Sequence, residues 1–251
     1  MDLFSYLLGR KSGGGGGSPG GGGGSENLAK AIIERSATEI SDSTVTSIGN
    51  YAFRECKELT SAVFPNVTSI GDYAFNGCKK FTNMNLSKVN SYGDYALGGC
   101  TAFVIENLTF PIGTTIGQYA FNQVPIKGAD LTNVSSIGKR AFSGSGLEYV
   151  YFPGHITPAD GVLAGCSSLI AVDFADEITT IPYQCFSQSK NLERVHLPSE
   201  LKTIEAYAFE RCEKLVITEI PSKVTTIAHD AFATSPSAQG TLITVRLVTT
   251  P

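Results

Sequence analysis

The sequence predicts a mainly-β repeat solenoid, in which short parallel strands stack coil upon coil around one continuous apolar interior. Three observations carry this prediction. The block IGNYAFREC at residues 48–56 returns as IGDYAFNGC at 70–78 and YGDYALGGC at 92–100, then in part as IGQYAF, IGKRAF, IPYQCF, IEAYAF and IAHDAF. Its large apolar residue recurs at Phe53, Phe75, Leu97, Phe121, Phe142, Leu163, Phe186, Phe209 and Phe232, at spacings of 22, 22, 24, 21, 21, 23, 23 and 23 residues. After each of these anchors comes a short run such as Leu192 to Leu197 or Leu147 to Phe152, apolar at its first, fourth and sixth positions. No single unit of this size buries its own apolar side. About nine units stacked in register do so, with strand ladders about 4.8 Å apart.

Composition narrows the function. The chain has 251 residues, 17% charged, a net charge of −4, no Trp and 3 His. An acidic chain with few cations lacks the basic face that nucleic acid requires. No apolar run reaches the roughly 20 residues that span a bilayer. The three histidines, His155, His196 and His229, fall at different positions of different units. No HExxH, GxSxG or paired-cysteine metal spacing is present, so neither catalysis nor a cofactor or metal is expected.

The segments follow in order. Residues 1–11 form an apolar head peptide. Leu3 and Leu7, and Phe4 and Leu8, are each four apart, which places them on one side of a short helix. A helix this short is unstable alone in water and needs a surface to dock on. Asp2 and the late Arg10 and Lys11 do not fit a secretion signal, so export by the general secretory route is not expected. Residues 12–25, SGGGGGSPGGGGGS, are a flexible tether with an r.m.s. reach of roughly 20 Å. An engineered tether would have the same composition, but the central Ser-Pro and the unusual head peptide point to a natural one. Residues 26–40 are the capping region, where Ser25 as N-cap and Leu28, Ile32 and Ile33 predict a helix over the first coil. Residues 41–235 are the solenoid, and residues 236–251, containing TLITVRLVT, are a capping strand at the far end.

Within each coil a second short strand of the form Val-Thr-Ser/Thr-Ile precedes the block, at Val45 to Ile48, Val67 to Ile70, Ile178 to Ile181 and Val224 to Ile227. Cys56, Cys78, Cys100, Cys166 and Cys212 each sit three residues after the anchor, a slot that Val124, Ser145, Ser189 and Ser235 also fill. A position accepting Cys, Val or Ser is a small buried slot, so no disulfide is expected. The sequons at Asn66, Asn85, Asn107 and Asn133 read as by-products of Asn- and Thr-rich repeats.

The recurring I-G-x-x-A-F-x-x-C block followed by L-x-x-V-x-L-P resembles the BspA-like leucine-rich repeat family, over about Ser41 to Phe232. Unit six, Thr157 to Leu163, lacks the Ile-Gly pair, so an irregularity is expected there. The resemblance implies a bacterial or protist surface protein that binds proteins or surfaces. The first 25 residues point elsewhere. An amphipathic peptide, a polyglycine tether and a displayed β-rich domain look like a bacteriophage virion accessory protein. That reading predicts a virion protein gripped by a capsid or tail platform protein through residues 1–11, chiefly Leu3, Phe4, Leu7 and Leu8. Its solenoid would adhere to a bacterial surface protein or glycan, or to a mucosal surface. A bacterial cell-surface adhesin is the alternative.

The third and fifth positions of the L-x-x-V-x-L run should face outward on one ladder. Down the stack these are Ser61/Val63, Asn83/Asn85, Asn107/Thr109, Gly128/Asp130, Tyr149/Tyr151, Ala171/Asp173, Arg194/His196 and Ile217/Glu219. Tyr149, Tyr151, Asp173, Arg194 and His196 form the richest part, because Tyr and Arg are enriched at binding hot spots. Exposed cross-strand pairs with no ligand would give the same column.

Overall fold

The computed structural model describes residues 35–217 and 219–235. The head peptide with Leu3, Phe4, Leu7 and Leu8, the tether, most of the capping region and the C-terminal segment 236–251 lie outside these residues. The described chain is a mainly-β solenoid of about nine turns, with no helix among its described elements. Its first strand, β1 (Glu39–Ser41), pairs with β3 (Ser61–Val63), so the ladder already begins within the last residues of the capping region.

Each coil has three sides, and each side bonds to the next coil. On the front, the L-x-x-V-x-L runs form a five-stranded parallel sheet of β6 (Ile105–Thr109), β8 (Ile126–Asp130), β10 (Tyr149–Phe152), β11 (Ala171–Phe174) and β13 (Arg194–His196). On the back, the Val-Thr-Ser-Ile runs form a sheet of β2 (Ser47–Ile48), β4 (Ser69–Ile70), β5 (Ser91–Tyr92), β7 (Thr114–Ile116) and β9 (Val134–Ile137). A second back sheet holds β12 (Thr180–Ile181), β14 (Thr203–Ile204) and β15 (Thr226–Ile227). The back ladder breaks between β9 and β12, at unit six. Here Pro153 and Pro158 bring no backbone N–H, and the Ile-Gly pair is missing. His155 spans the break by bonding the Val134 carbonyl through Nε2 at 3.0 Å.

The third side is the repeated block itself. The anchor N–H donates to the coil above, as in Phe53 to the Ala74 carbonyl at 2.7 Å and Phe121 to the Ala141 carbonyl at 2.8 Å. To place these donors the backbone turns left-handed twice per coil, at Tyr51 and Glu55 (φ 61° and 58°) and at Tyr73 and Gly77 (φ 55° and 76°). In unit six both positions are Gly161 and Gly165. A bulky residue in this region costs on the order of 1 kcal/mol. The inter-coil hydrogen bonds, from Tyr51, Tyr73 and Tyr95 at 2.7–2.8 Å, offset that cost. The residue after the Ile-Gly pair adds a side-chain rung. Asn50 Oδ1, Asp72 Oδ1 and Asp94 Oδ1 accept the backbone N–H of Asp72, Asp94 and Gln118 respectively, at 2.8–2.9 Å.

The interior is a row of stacked anchors. Phe53–Phe75, Phe121–Phe142, Phe186–Phe209 and Phe209–Phe232 have ring centroids 5.0–5.3 Å apart. Where the third coil shrinks its anchor to Leu97, it enlarges the Ile of the Ile-Gly pair to Tyr92, which fills the space beside Phe121 with ring centroids 4.8 Å apart. The Tyr92 hydroxyl has no partner, and burial pushes its phenol well up. Tyr92→Phe is therefore expected to stabilise the protein by about 1 kcal/mol, because it removes an unsatisfied buried polar group. A lower midpoint for Tyr92→Phe in urea unfolding would contradict this.

All six cysteines are free and buried. The slot has a hydrogen-bond role that spacing did not show. Cys78, Cys100, Cys166 and Cys212 donate their thiols to the anchor carbonyl of the coil below, Phe53, Phe75, Phe142 and Phe186, at 2.9–3.3 Å. Ser189 makes the same bond through Oγ to the Leu163 carbonyl at 2.9 Å. Burial pushes the Cys166 thiol up to about 11 and those of Cys100 and Cys212 up to about 12. A thiol that titrates later in the folded chain stabilises it fully below its unfolded pKa, and that contribution is lost as pH rises through the folded value. The expected result is a melting temperature that falls from about pH 9 towards pH 12 more steeply than in a variant with serine at positions 100, 166 and 212. Equal slopes for the two proteins would overturn it.

Candidate functional site

The front sheet presents two outward rows. One reads Asn107, Gly128, Tyr149, Ala171, Arg194, and the other Thr109, Asp130, Tyr151, Asp173, His196. The ladder thus brings Tyr149, Tyr151, Asp173, Arg194 and His196 onto neighbouring strands of one face. Tyr149 and Tyr151 are 47% and 43% exposed, large values for rings on a sheet. Both Arg194 and His196 are exposed, while Asp173 is half-buried.

Tyr149 does not stand upright. Its hydroxyl donates to Asp173 Oδ2 at 2.9 Å, a diagonal reach across the neighbouring strand. Ala171 is Tyr149's direct partner in the ladder and lies under that path, and it is only 5% exposed. This corrects the expectation that Ala171 faces solvent: it holds an outward ladder position between Tyr149 and Arg194, yet it is buried. The Tyr149 phenol is raised by desolvation first and by the bond to Asp173 second, and the nearby Arg194 charge opposes both. On the other side, Gly128 carries no side chain. A Cβ there would meet Asn107 Oδ1 at 2.7 Å, so the Asn107 carboxamide leans over Gly128.

The sheet has an open edge at each end. Among the described residues no strand pairs with the outer edge of β13. Ile217, expected outward, is buried, and Val216 is exposed instead. A groove of about 540 Å³ runs there between Arg194, His196, Ser199 and Val216, Glu219, Pro221. At β6 the cause is visible in the chain. Two extra residues fall between Phe103 and Leu108, compared with the three-residue step from Leu59 to Ala62. The Val104 N–H therefore bonds locally to the Ala102 carbonyl, whereas Thr60 and Thr82 bond down to Thr38 and Thr60. A cleft of about 410 Å³ opens between residues 82–87 and 103–109.

One surface feature escaped the sequence reading. Tyr51, Tyr73, Tyr95 and Tyr119 stack in a continuous column, with centroids 5.2, 4.7 and 4.5 Å apart and interplanar angles of 6–12°. Arg54 lies over Tyr51 and Tyr73 at 5.8 and 5.3 Å. The signal is the Tyr repeated within I-G-x-Y-A-F, which adjoins the buried part of the block. Because each ring covers its neighbour's face, the column offers mainly edges to solvent. Tyr149 is the opposite case: its ladder neighbours are Gly128 and Ala171, and no other ring packs on it among the described residues.

No group of three His, Cys, Asp or Glu that could hold a metal occurs among the described residues. No described helix is long and apolar enough to cross a membrane. The model of the BspA type Leucine rich repeat region matches residues 35–148 and 114–239, in six copies. No curated protein matches the chain. Among solved structures, a leucine rich cell surface protein from Faecalibacterium prausnitzii A2-165 is 18% identical, over 78% of this chain and 79% of that one, with a TM-score of 0.41. The T. pallidum leucine-rich repeat protein is 20% identical over 72% and 78%, with a TM-score of 0.48. A leucine-rich repeat protein from Bacteroides ovatus is 20% identical over 81% and 76%, with a TM-score of 0.40. These structural likenesses do not bear on function. The comparisons give the virion reading no support, and the residues that motivated it, 1–25, lie outside the described part of the chain.

Proposed function

Because this chain belongs to the BspA-type leucine-rich repeat family, whose solenoids typically serve as binding proteins, we propose that it is a non-enzymatic bacterial cell-surface protein that adheres to a partner surface through its front sheet. The carrying observation is the outward face of β10, β11 and β13, where Tyr149, Tyr151 and Arg194 gather in the open between two grooves. Rigid strands spare the backbone an ordering cost on binding, one of the terms that oppose affinity. Exposed Tyr and Arg on such a scaffold carry the side-chain chemistry of binding hot spots.

The test is adhesion of beads coated with the full chain to bacterial and epithelial cells. Tyr149→Ala and Arg194→Ala together are expected to cut bead retention at least tenfold, while Tyr51→Ala, on the third side of the coil, leaves it unchanged. Equal retention of all three proteins would remove the front sheet from the function. Surface-restricted protease treatment of producing cells tests the location, and degradation of the chain on intact cells is the expected outcome.

A further inference from the structure

We propose that the ligand class of the front sheet is a glycan, with Tyr149 as the platform on which one pyranose ring stacks; this rests on the adhesion reading above and specifies its partner. The geometry of a single ring carries it. Tyr149 is tethered through its hydroxyl to Asp173 at 2.9 Å and pairs in the ladder with buried Ala171, yet it is itself 47% exposed, with no other ring stacked on it among the described residues. Gly128, its ladder partner on the other strand, carries no side chain, and the Asn107 carboxamide oxygen takes the space a Cβ would fill there. An exposed aromatic ring held at its hydroxyl offers a face on which the C–H-bearing side of a pyranose stacks.

The surrounding groups complete the site. The Asn107 carboxamide leans over Gly128 from one side. The Asp173 carboxylate lies on the other, with one oxygen engaged by Tyr149, and Arg194 follows in the Tyr149 row. These planar acceptors and donors suit vicinal sugar hydroxyls, whose hydrogen bonds come in pairs. Tyr151, on the same side of β10 and about 7 Å along the strand, offers a second ring for the next sugar.

The paucity of aliphatic side chains on the face favours a glycan over a protein. Across all five strands the two outward rows contain Asn107, Thr109, Gly128, Asp130, Tyr149, Tyr151, Ala171, Asp173, Arg194 and His196, with no aliphatic side chain larger than that of Ala. Protein interfaces desolvate an apolar centre from which charged groups are depleted. Within these two rows, charged Asp173 and Arg194 lie beside Tyr149 and Tyr151, and exposed Ile170 borders them just before Ala171. The stacked column of Tyr51, Tyr73, Tyr95 and Tyr119 is less suited to a sugar, because the ring faces between its members are occupied by one another.

The test is saturation-transfer NMR on the full chain with chitotetraose and a β-1,4-galactotetraose, alongside titration calorimetry. The expected result is saturation concentrated on the C–H protons of one sugar face for at least one of the two. Affinity falls at least tenfold in Tyr149→Ala, less in Tyr149→Phe, and is unchanged in Tyr51→Ala. Thermal melts matching the native chain establish that the Tyr149 variants are folded. Absence of transfer to both sugars, or binding that survives Tyr149→Ala, overturns the glycan assignment. If bead adhesion nevertheless depends on Tyr149 and Arg194, the partner is a protein and the adhesion reading stands without this inference. If adhesion is also indifferent to them, both fail.

Discussion

Phe121→Ala is expected to lower the unfolding free energy by about 3–5 kcal/mol, the largest loss from any single side chain in the protein. Phe121 is fully buried and lies at the middle of the stack. It packs on Phe142 with centroids 5.2 Å apart, on Tyr92 at 4.8 Å and on Phe110 at 6.2 Å. Truncation removes the apolar transfer term and leaves a cavity that the coils above and below cannot close, because their spacing is fixed by backbone ladders on more than one side. In a solenoid each coil is stabilised by its neighbours, so the loss falls on two interfaces at once. Chemical unfolding should then split into two transitions, with the stretches before and after Phe121 separating. A single transition displaced by less than 1 kcal/mol would show that Phe121 is not a central contact.

Gly117→Ala is expected to be nearly as damaging, at about 3 kcal/mol, for the opposite physical reason. Here the cost is excess volume. A Cβ on Gly117 would sit 2.5 Å from the Gly93 carbonyl carbon and 2.7 Å from the Asp94 nitrogen. Those are backbone atoms of the coil below, held by the rungs from Gly117 N–H to the Tyr92 carbonyl at 2.7 Å and from Gln118 N–H to Asp94 Oδ1 at 2.8 Å. They cannot move aside without breaking the ladder. Gly113→Ala is the control: nothing lies within 4 Å of its Cβ, so its cost comes only from its φ of +79°. Comparing the two by urea unfolding separates close approach from backbone conformation. A smaller loss at Gly117 than at Gly113 would contradict the tight coil spacing.

What the sequence made legible was whatever repeats within one coil. The anchors, the small slot and the alternation of Val150 with Tyr149 and Tyr151 all follow from a single period. The break at unit six was equally readable, since it is a missing Ile-Gly pair. Properties that arise between coils were not. Ala171 holds an outward position, yet it is buried beside a Tyr one coil away whose hydroxyl reaches Asp173. Ile217, at a position the pattern places outward, is buried, and no described strand continues the ladder there. The tyrosine column depends on a left-handed backbone at Tyr51, Tyr73, Tyr95 and Tyr119, which a propensity argument assigns to Gly and Asn rather than to Tyr. The five candidate residues were found because they share one face by strand alternation. The tether that holds the Tyr149 hydroxyl needed the position of Asp173 in the adjacent coil.

The coils are held in register by a repeated block that bonds upward through the anchor amides. Residue-resolved amide hydrogen exchange tests this most directly. The amides of Phe53, Phe75, Leu97, Phe121, Phe142, Leu163, Phe186 and Phe209 each donate to the coil above, so they should be protected together and lose protection only with global unfolding. The Val104 amide, which bonds locally at the cleft, should exchange much faster. Anchor amides that exchange as fast as Val104 would mean that the coils do not stack in this register, and the front face built on that register would go with them.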